Sequence, residues 1–210
     1  MKKNNFIYIF IFLMFSVITL GLANYSLIVK QPHSTIEILS SDEISDDPNA
    51  EKSFDMMMEV LMHKRCVNCH PAGDTPLQGE DSHLHNFGIV RGEDGHGLAG
   101  YTCGTCHQEE NNKISGVPGA PEWAVAPAEM VWEGKSRVEI ATQMMDPARN
   151  GGRTPEEIEK HLTEHELVLW AWEPGIDAEG MPREKPPVPV DEYITAVKNW
   201  IHAGAVIPAQ

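Results

Sequence analysis

Apolar residues recur at helical spacing in four stretches of the chain. In 52–65 the repeating positions are Phe54, Met57, Met58, Leu61 and Met62. In 136–145, Ser136 and Glu139 have the spacing of a capping box ahead of Ile140, Ala141, Met144 and Met145. Pro147 and the pair Gly151-Gly152 then stop that helix. In 154–170, Thr154 is placed to cap, Pro155 fits the first helical position, and Glu156 and Glu157 suit the positive helix end. Ile158, His161, Leu162 and His165 share the inner face of this stretch. In 191–203, Asp191 caps and Ile194, Val197, Trp200 and Ile201 form a stripe that ends at Gly204. No window sustains the alternation of a strand. Loops rich in Gly and Pro fill 71–101, 111–135 and 173–190, lengths that call for a source of order other than secondary structure.

The first thirty residues follow another pattern. Lys2 and Lys3 precede an uncharged run over 6–29, nearly all apolar to residue 22, with small Gly21 and Ala23 where a signal would be cleaved. The run also has the roughly 20 residues that span a bilayer as a helix. Cleaved signal and retained anchor both place the remainder outside the cytoplasm, which predicts a periplasmic protein, free or held at the inner membrane. Residues 31–51 are acidic, small and non-periodic, as in a solvated linker, so the expected organisation is 1–30 signal or anchor, 31–51 linker and 52–210 folded domain.

Charge narrows the partners. The 210 residues carry a formal net charge of −15. Without Lys2, Lys3 and Lys30 that becomes −18. Nucleic acid needs clustered positive charge and is disfavoured, whereas a basic docking patch on a protein partner is favoured.

All four cysteines fall in two motifs, Cys66-Val67-Asn68-Cys69-His70 and Cys103-Gly104-Thr105-Cys106-His107. Both match C-x-x-C-H, the attachment motif of c-type haem. Two thiols three residues apart lie on one turn and can add to the two vinyl groups of one porphyrin, and the following His reaches the iron. A random chain of this length would hold on the order of 0.004 such motifs. A four-cysteine zinc site would not explain the His after each pair. A redox dithiol would want a thioredoxin-like setting. The motifs therefore predict two haem c groups, attached through Cys66, Cys69, Cys103 and Cys106, with His70 and His107 as proximal iron ligands. The tryptophans Trp123, Trp132, Trp170, Trp172 and Trp200 are candidates to pack against them. The Gly-rich run 92–97 lacks the frame of a phosphate loop and reads as backbone able to approach a haem.

Spacing leaves the sixth ligands open. Eight further histidines remain: His33, His63, His83, His85, His96, His161, His165 and His202. His33 lies in the linker, and His202 sits where it can meet a helix dipole. His63 is too near the first motif to reach round that haem, but it could serve the other. His83 and His85 lie between the motifs, and His161 and His165 lie one turn apart on a helix. Met130 and Met181 are thioether candidates, Met181 being followed by Pro182 just before the last helix, while Met144 and Met145 read as helix core.

The frame of helix, attachment motif, ligand-bearing middle and C-terminal helix resembles a class I cytochrome c with a second motif inserted. More closely, the chain resembles small bacterial proteins described as a cytochrome subunit of isoquinoline 1-oxidoreductase. The resemblance rests on residues 65–74, 117–121, 132–136, 146–153 and 170–175. It implies a mainly α, loop-rich cytochrome c-like domain wrapped around two covalent haems and acting as electron-transfer partner of a molybdenum hydroxylase. The family pattern has His at the positions of His85 and His161, which the resemblance therefore favours as sixth ligands, and Met at Met130. It does not generally have Met at Met181, and a family His beside Trp is Glu122 here. The expected function is single-electron transfer. The rivals are a dihaem peroxidase or oxidase, or a haem-based sensor, each needing one open iron position.

Overall fold

The computed structural model describes residues 48–209; the expected export segment and most of the expected linker lie outside the described residues. Helix α1 spans Pro48–Leu61 and α2 spans Lys64–Val67. Two hairpins of two-residue strands follow: β1 Leu77–Gln78 with β2 His83–Leu84, and β3 Gly97–Leu98 with β4 Tyr101–Thr102. Then come α3 Arg137–Met145, α4 Pro155–Glu164, α5 Glu166–Leu169 and α6 Val190–His202. Among the described residues no helix is long and apolar enough to cross a membrane.

The first helix starts four residues ahead of the predicted start, and Ala50 is buried, so part of the expected linker belongs to the fold. It also ends early. His63 is extended and its ring accepts the Arg65 N–H, which breaks the predicted 52–65 helix in two and leaves Met62 exposed. The same device divides the predicted 154–170 helix. His165 is extended (φ −73°, ψ 124°) and its Nδ1 accepts the Leu167 N–H at 3.3 Å, starting α5. His165 thus sits at a break and not on a continuous inner face. The capping boxes Ser136–Glu139 and Thr154–Glu157 both form. The last helix is preceded by Pro189, and Asp191 lies in its first turn instead of capping it.

The core is made by α1 and α6. Phe54, Met57, Met58 and Leu61 meet Tyr193, Val197 and Trp200, with the Phe54 and Trp200 rings 6.0 Å apart. Each such buried side chain contributes about 1.5–3 kcal/mol. Ile158 and Leu162 of α4 and Ile140, Ala141 and Met144 of α3 complete the cluster. The Trp172 and Trp200 indoles donate to the Val188 and Val206 carbonyls, both at 2.8 Å.

Hydrogen bonds to backbone, more than apolar packing, order the long loops. Buried Arg91 donates to the carbonyls of Ala126 at 2.7 Å and Gly73 at 3.0 Å and pairs with Asp74. Arg183 donates to the carbonyls of Gly116, Pro174 and Ile176. The Asn111 amide receives the Trp170 indole N–H at 2.9 Å and donates to the Glu173 carbonyl at 2.7 Å. The glycines of 92–97 bring backbone against backbone. Gly95 (φ +84°) is a position where a Cβ would strike the Val125 carbonyl oxygen.

Candidate functional site

The two Cys-x-x-Cys-His segments form similar helical turns that share the bond from the second Cys N–H to the first Cys C=O. In the first, Cys69 N–H donates to Cys66 C=O at 3.2 Å and His70 N–H to Val67 C=O at 2.9 Å. In the second, Cys106 N–H and His107 N–H both donate to Cys103 C=O, at 3.1 and 2.9 Å. All four cysteines are free thiols. Burial pushes the Cys66 thiol up to about 12 and the Cys69 thiol to about 11, and it raises Cys103 as well. Reactive redox cysteines have lowered values, so these thiols do not have the character of a catalytic dithiol. Among the described residues, no group of three or more His, Cys, Asp and Glu side chains converges as a metal cage, which a four-cysteine zinc site would require.

The proximal histidines are held alike. His70 Nδ1 lies 3.0 Å from the Met130 carbonyl oxygen, and its ring stacks on Trp132 with centroids 3.6 Å apart and planes at 7°. His107 Nδ1 lies 2.8 Å from the Pro118 carbonyl oxygen, and its ring stacks on Trp123 at 4.4 Å and 3°. A carbonyl at Nδ1 fixes the proton there and leaves Nε2 as a lone-pair donor, the usual outer-shell arrangement of a metal-binding imidazole. Burial lowers His70 to about 3 and also lowers His107, so both rings are neutral near pH 7.

The first motif opens into a cavity of about 470 Å³, within the roughly 300–1,000 Å³ of ligand clefts. Cys66, Cys69 and His70 line it together with Leu61, Met144 and Ile158 of the helical core. His161 and His165 line it too, and His161 is near enough for its charge to act on His70. The two differ in what their nitrogens do. His165 spends Nδ1 on its helix cap and places Nε2 3.0 Å from the Glu122 carboxylate. His161 meets the edge of the His165 ring at 4.9 Å, and among the described residues nothing hydrogen-bonds it. Burial holds His161 down to about 4, so it too is a neutral donor.

At the second motif the His85 and His107 rings meet edge-on with centroids 6.0 Å apart. Two metal–imidazole bonds of about 2.0–2.1 Å need a ring separation of this order. His85 Nδ1 lies 2.8 Å from the Asn86 carbonyl, which again frees Nε2. His83, its neighbour, has both ring nitrogens engaged, Nδ1 with Asp81 at 2.6 Å and Nε2 with Gln78 at 3.1 Å. Of the remaining candidates, His63 caps α2 and its Nε2 lies 3.6 Å from Glu184. His96 is exposed, with Nδ1 3.3 Å from the Trp123 carbonyl. His202 pairs with Glu159 at 3.1 Å. Met181 is exposed on a turn, and Met130 lines the cavity while its carbonyl holds His70. His33 lies outside the described residues.

The donor residues of both turns suit an iron porphyrin, and the first turn also has a cavity beside it. Each turn offers two thiols and one neutral imidazole, with a second imidazole nearby: His161 lines the same cavity as His70, and His85 meets His107 edge-on. A porphyrin supplies four nitrogens itself, so two protein ligands per iron suffice. Comparison with protein-family models, with curated proteins and with solved structures finds no match to this chain.

Sequence reasoning missed what lies between the sites. Residues 122–126 form a strap. Ala126 N–H donates to Cys69 C=O at 2.9 Å, and Val125 N–H to Gly95 C=O at 2.8 Å. Trp123 stacks on His107, while Glu122 reaches His165 in the first cavity. Cys103 N–H donates to His96 C=O at 2.9 Å, and the Cys103 thiol is near enough to raise the Cys69 thiol. The strap thus touches both motifs. The density of Pro and small residues around Trp123 in 117–127 was the available signal.

Proposed function

We propose that this protein is an exported dihaem c-type cytochrome that relays single electrons between redox partners. The observation that carries the reading is the repeated unit: a Cys-x-x-Cys-His turn, a carbonyl on Nδ1 of its His, a Trp stacked on that ring, and a second imidazole close by with Nε2 unengaged. One iron would be held by His70 and His161, with Cys66 and Cys69 attaching the porphyrin; the other by His107 and His85, with Cys103 and Cys106. When bound, each haem supplies a one-electron couple. The chain's own work is to orient four imidazoles, to keep His70, His107 and His161 neutral by burial, to exclude water from the first site, and to hold the second near the surface. Cys106, Glu109 and Glu110 are exposed there, an acidic rim suited to a basic partner. A molybdenum hydroxylase as that partner rests on the sequence resemblance alone, and a periplasmic location rests on the export segment.

The test is to purify the protein from a host with a cytochrome c maturation system. The expected product carries two covalent haems per chain, six-coordinate and low-spin in both oxidation states. Absence of covalent haem contradicts the proposal. A high-spin iron that readily binds peroxide or carbon monoxide would favour an enzyme or a sensor instead.

A further inference from the structure

The run 146–153 ends in Asn150-Gly151-Gly152-Arg153, between α3 and α4. Asn150 is 1% exposed and makes a closed set of bonds. Its Nδ2 donates to the carbonyls of Met144 at 2.7 Å and Arg153 at 3.1 Å, and its Oδ1 accepts the Arg153 N–H at 2.8 Å. Arg153 Nη1 donates back to the Asn150 carbonyl at 2.7 Å. Gly151 and Gly152, at φ +79° and +80°, reverse the chain between them. A buried amide thus pins an arginine whose remaining N–H donors meet no protein acceptor among the described residues. That arginine lines the first cavity, and its charge is felt at His161.

We infer that Arg153 receives a propionate carboxylate of the haem bound in this cavity, an assignment that rests on the dihaem reading. A porphyrin carries its two vinyl positions and its two propionates on opposite edges, so Cys66 and Cys69 hold one edge and the carboxylates point away from them. Two arginines line the cavity. Arg65 adjoins Cys66 and is already engaged by Glu80 and the Glu184 carbonyl. Arg153 stands on the loop that enters α4, the helix of His161, and has donors to spare. The acidic lining residues Asp94 and Glu122 would repel a carboxylate. An arginine fork matches a carboxylate in two parallel bonds, and its fixed charge favours the reduced, less positive iron.

The test is a redox titration of the holoprotein as wild type, Arg153→Gln and Arg153→Lys, with covalent haem counted in each. Arg153→Gln is expected to keep both haems and to lower one midpoint by about a tenfold change in the reduction equilibrium, which is 59 mV for one electron. The other midpoint stays in place, and Arg153→Lys restores most of the shift. Two covalent haems with both midpoints unchanged in Arg153→Gln would overturn this assignment alone. Failure of lysine to restore the shift would also overturn it, because the loop's shape and not its charge would then be responsible. Wild-type protein without covalent haem would overturn the dihaem reading and this assignment with it.

Discussion

Around residues 66–70 the chain supplies a helical core, and around 103–107 it supplies loops. A helical turn at the motif, the carbonyl at Nδ1 and the stacked indole recur in both places. In the first, Trp132 is 4% exposed, and the cavity wall includes side chains from α1, α3 and α4. In the second, Trp123 is half-buried, Cys106 is exposed, and Leu84 and Phe87 beside His85 stand 65% and 83% exposed. The comparison separates two requirements. Attachment and ligation need only a short turn and a few local bonds, so they can be built in a loop. Burial needs helices from distant parts of the chain. In the proposed cytochrome such a pair would have one shielded centre and one accessible centre, a suitable layout for a relay.

The sharpest way to break the comparison is to delete each attachment in turn. Replacing Cys103 and Cys106 with Ser should remove one haem and leave the helical content by circular dichroism in place. Replacing Cys66 and Cys69 should cost the fold itself, because a cavity of about 470 Å³ in the core loses its occupant. Equal tolerance of both double variants, or equal collapse, would show that the sites do not differ as described.

Next in size are the two stacked indoles. Trp132→Ala should lower stability by about 3–5 kcal/mol, the usual loss for a buried aromatic. Trp123→Ala, on a partly exposed ring, should cost markedly less, and thermal melting of the holoproteins measures both. The exposed centre should also titrate at the lower potential, because water stabilises the more positive ferric state. Potentiometry of single-haem variants reads this directly, and the reverse order would contradict the assignment of exposure.

The smallest effects lie far from either site. Ser136→Ala removes one half of a capping box and should cost about 1 kcal/mol. Hydrogen bonding to the Ser136 backbone N–H, with Lys135 and the Ser136 hydroxyl, holds Glu139 near 2, below its ordinary 4.5. Its folded value is depressed, so its contribution is full above pH 4.5 and is lost as the pH falls toward 2. A pH series of melting temperatures should therefore converge for wild type and Glu139→Gln at the acid end.

What was legible in the sequence follows from the same division. The motifs and both capping boxes are contiguous in the chain and could be read. So could the apolar stripes of α1, α3, α4 and α6, because helical spacing is a local signal. The breaks at His63 and His165 could not, since each depends on a ring turning back to cap a neighbouring N–H. Nor could the choice among histidines be read from spacing. His83 and His85 differ by two positions, and only the partners Asp81 and Gln78 engage the first and leave the second free at Nε2. The arginine bonds that order the loops, and the strap at 122–126, join segments tens of residues apart and leave no periodic trace.

The central claim is that His161 serves the enclosed iron and His85 the exposed one. Electron paramagnetic resonance and optical spectra of His161→Ala, His85→Ala and the double variant test it most directly. The account predicts that each single variant turns one haem high-spin and leaves the other low-spin, that the two singles affect different haems, and that the double variant turns both. Two unchanged low-spin haems in either single variant would contradict it.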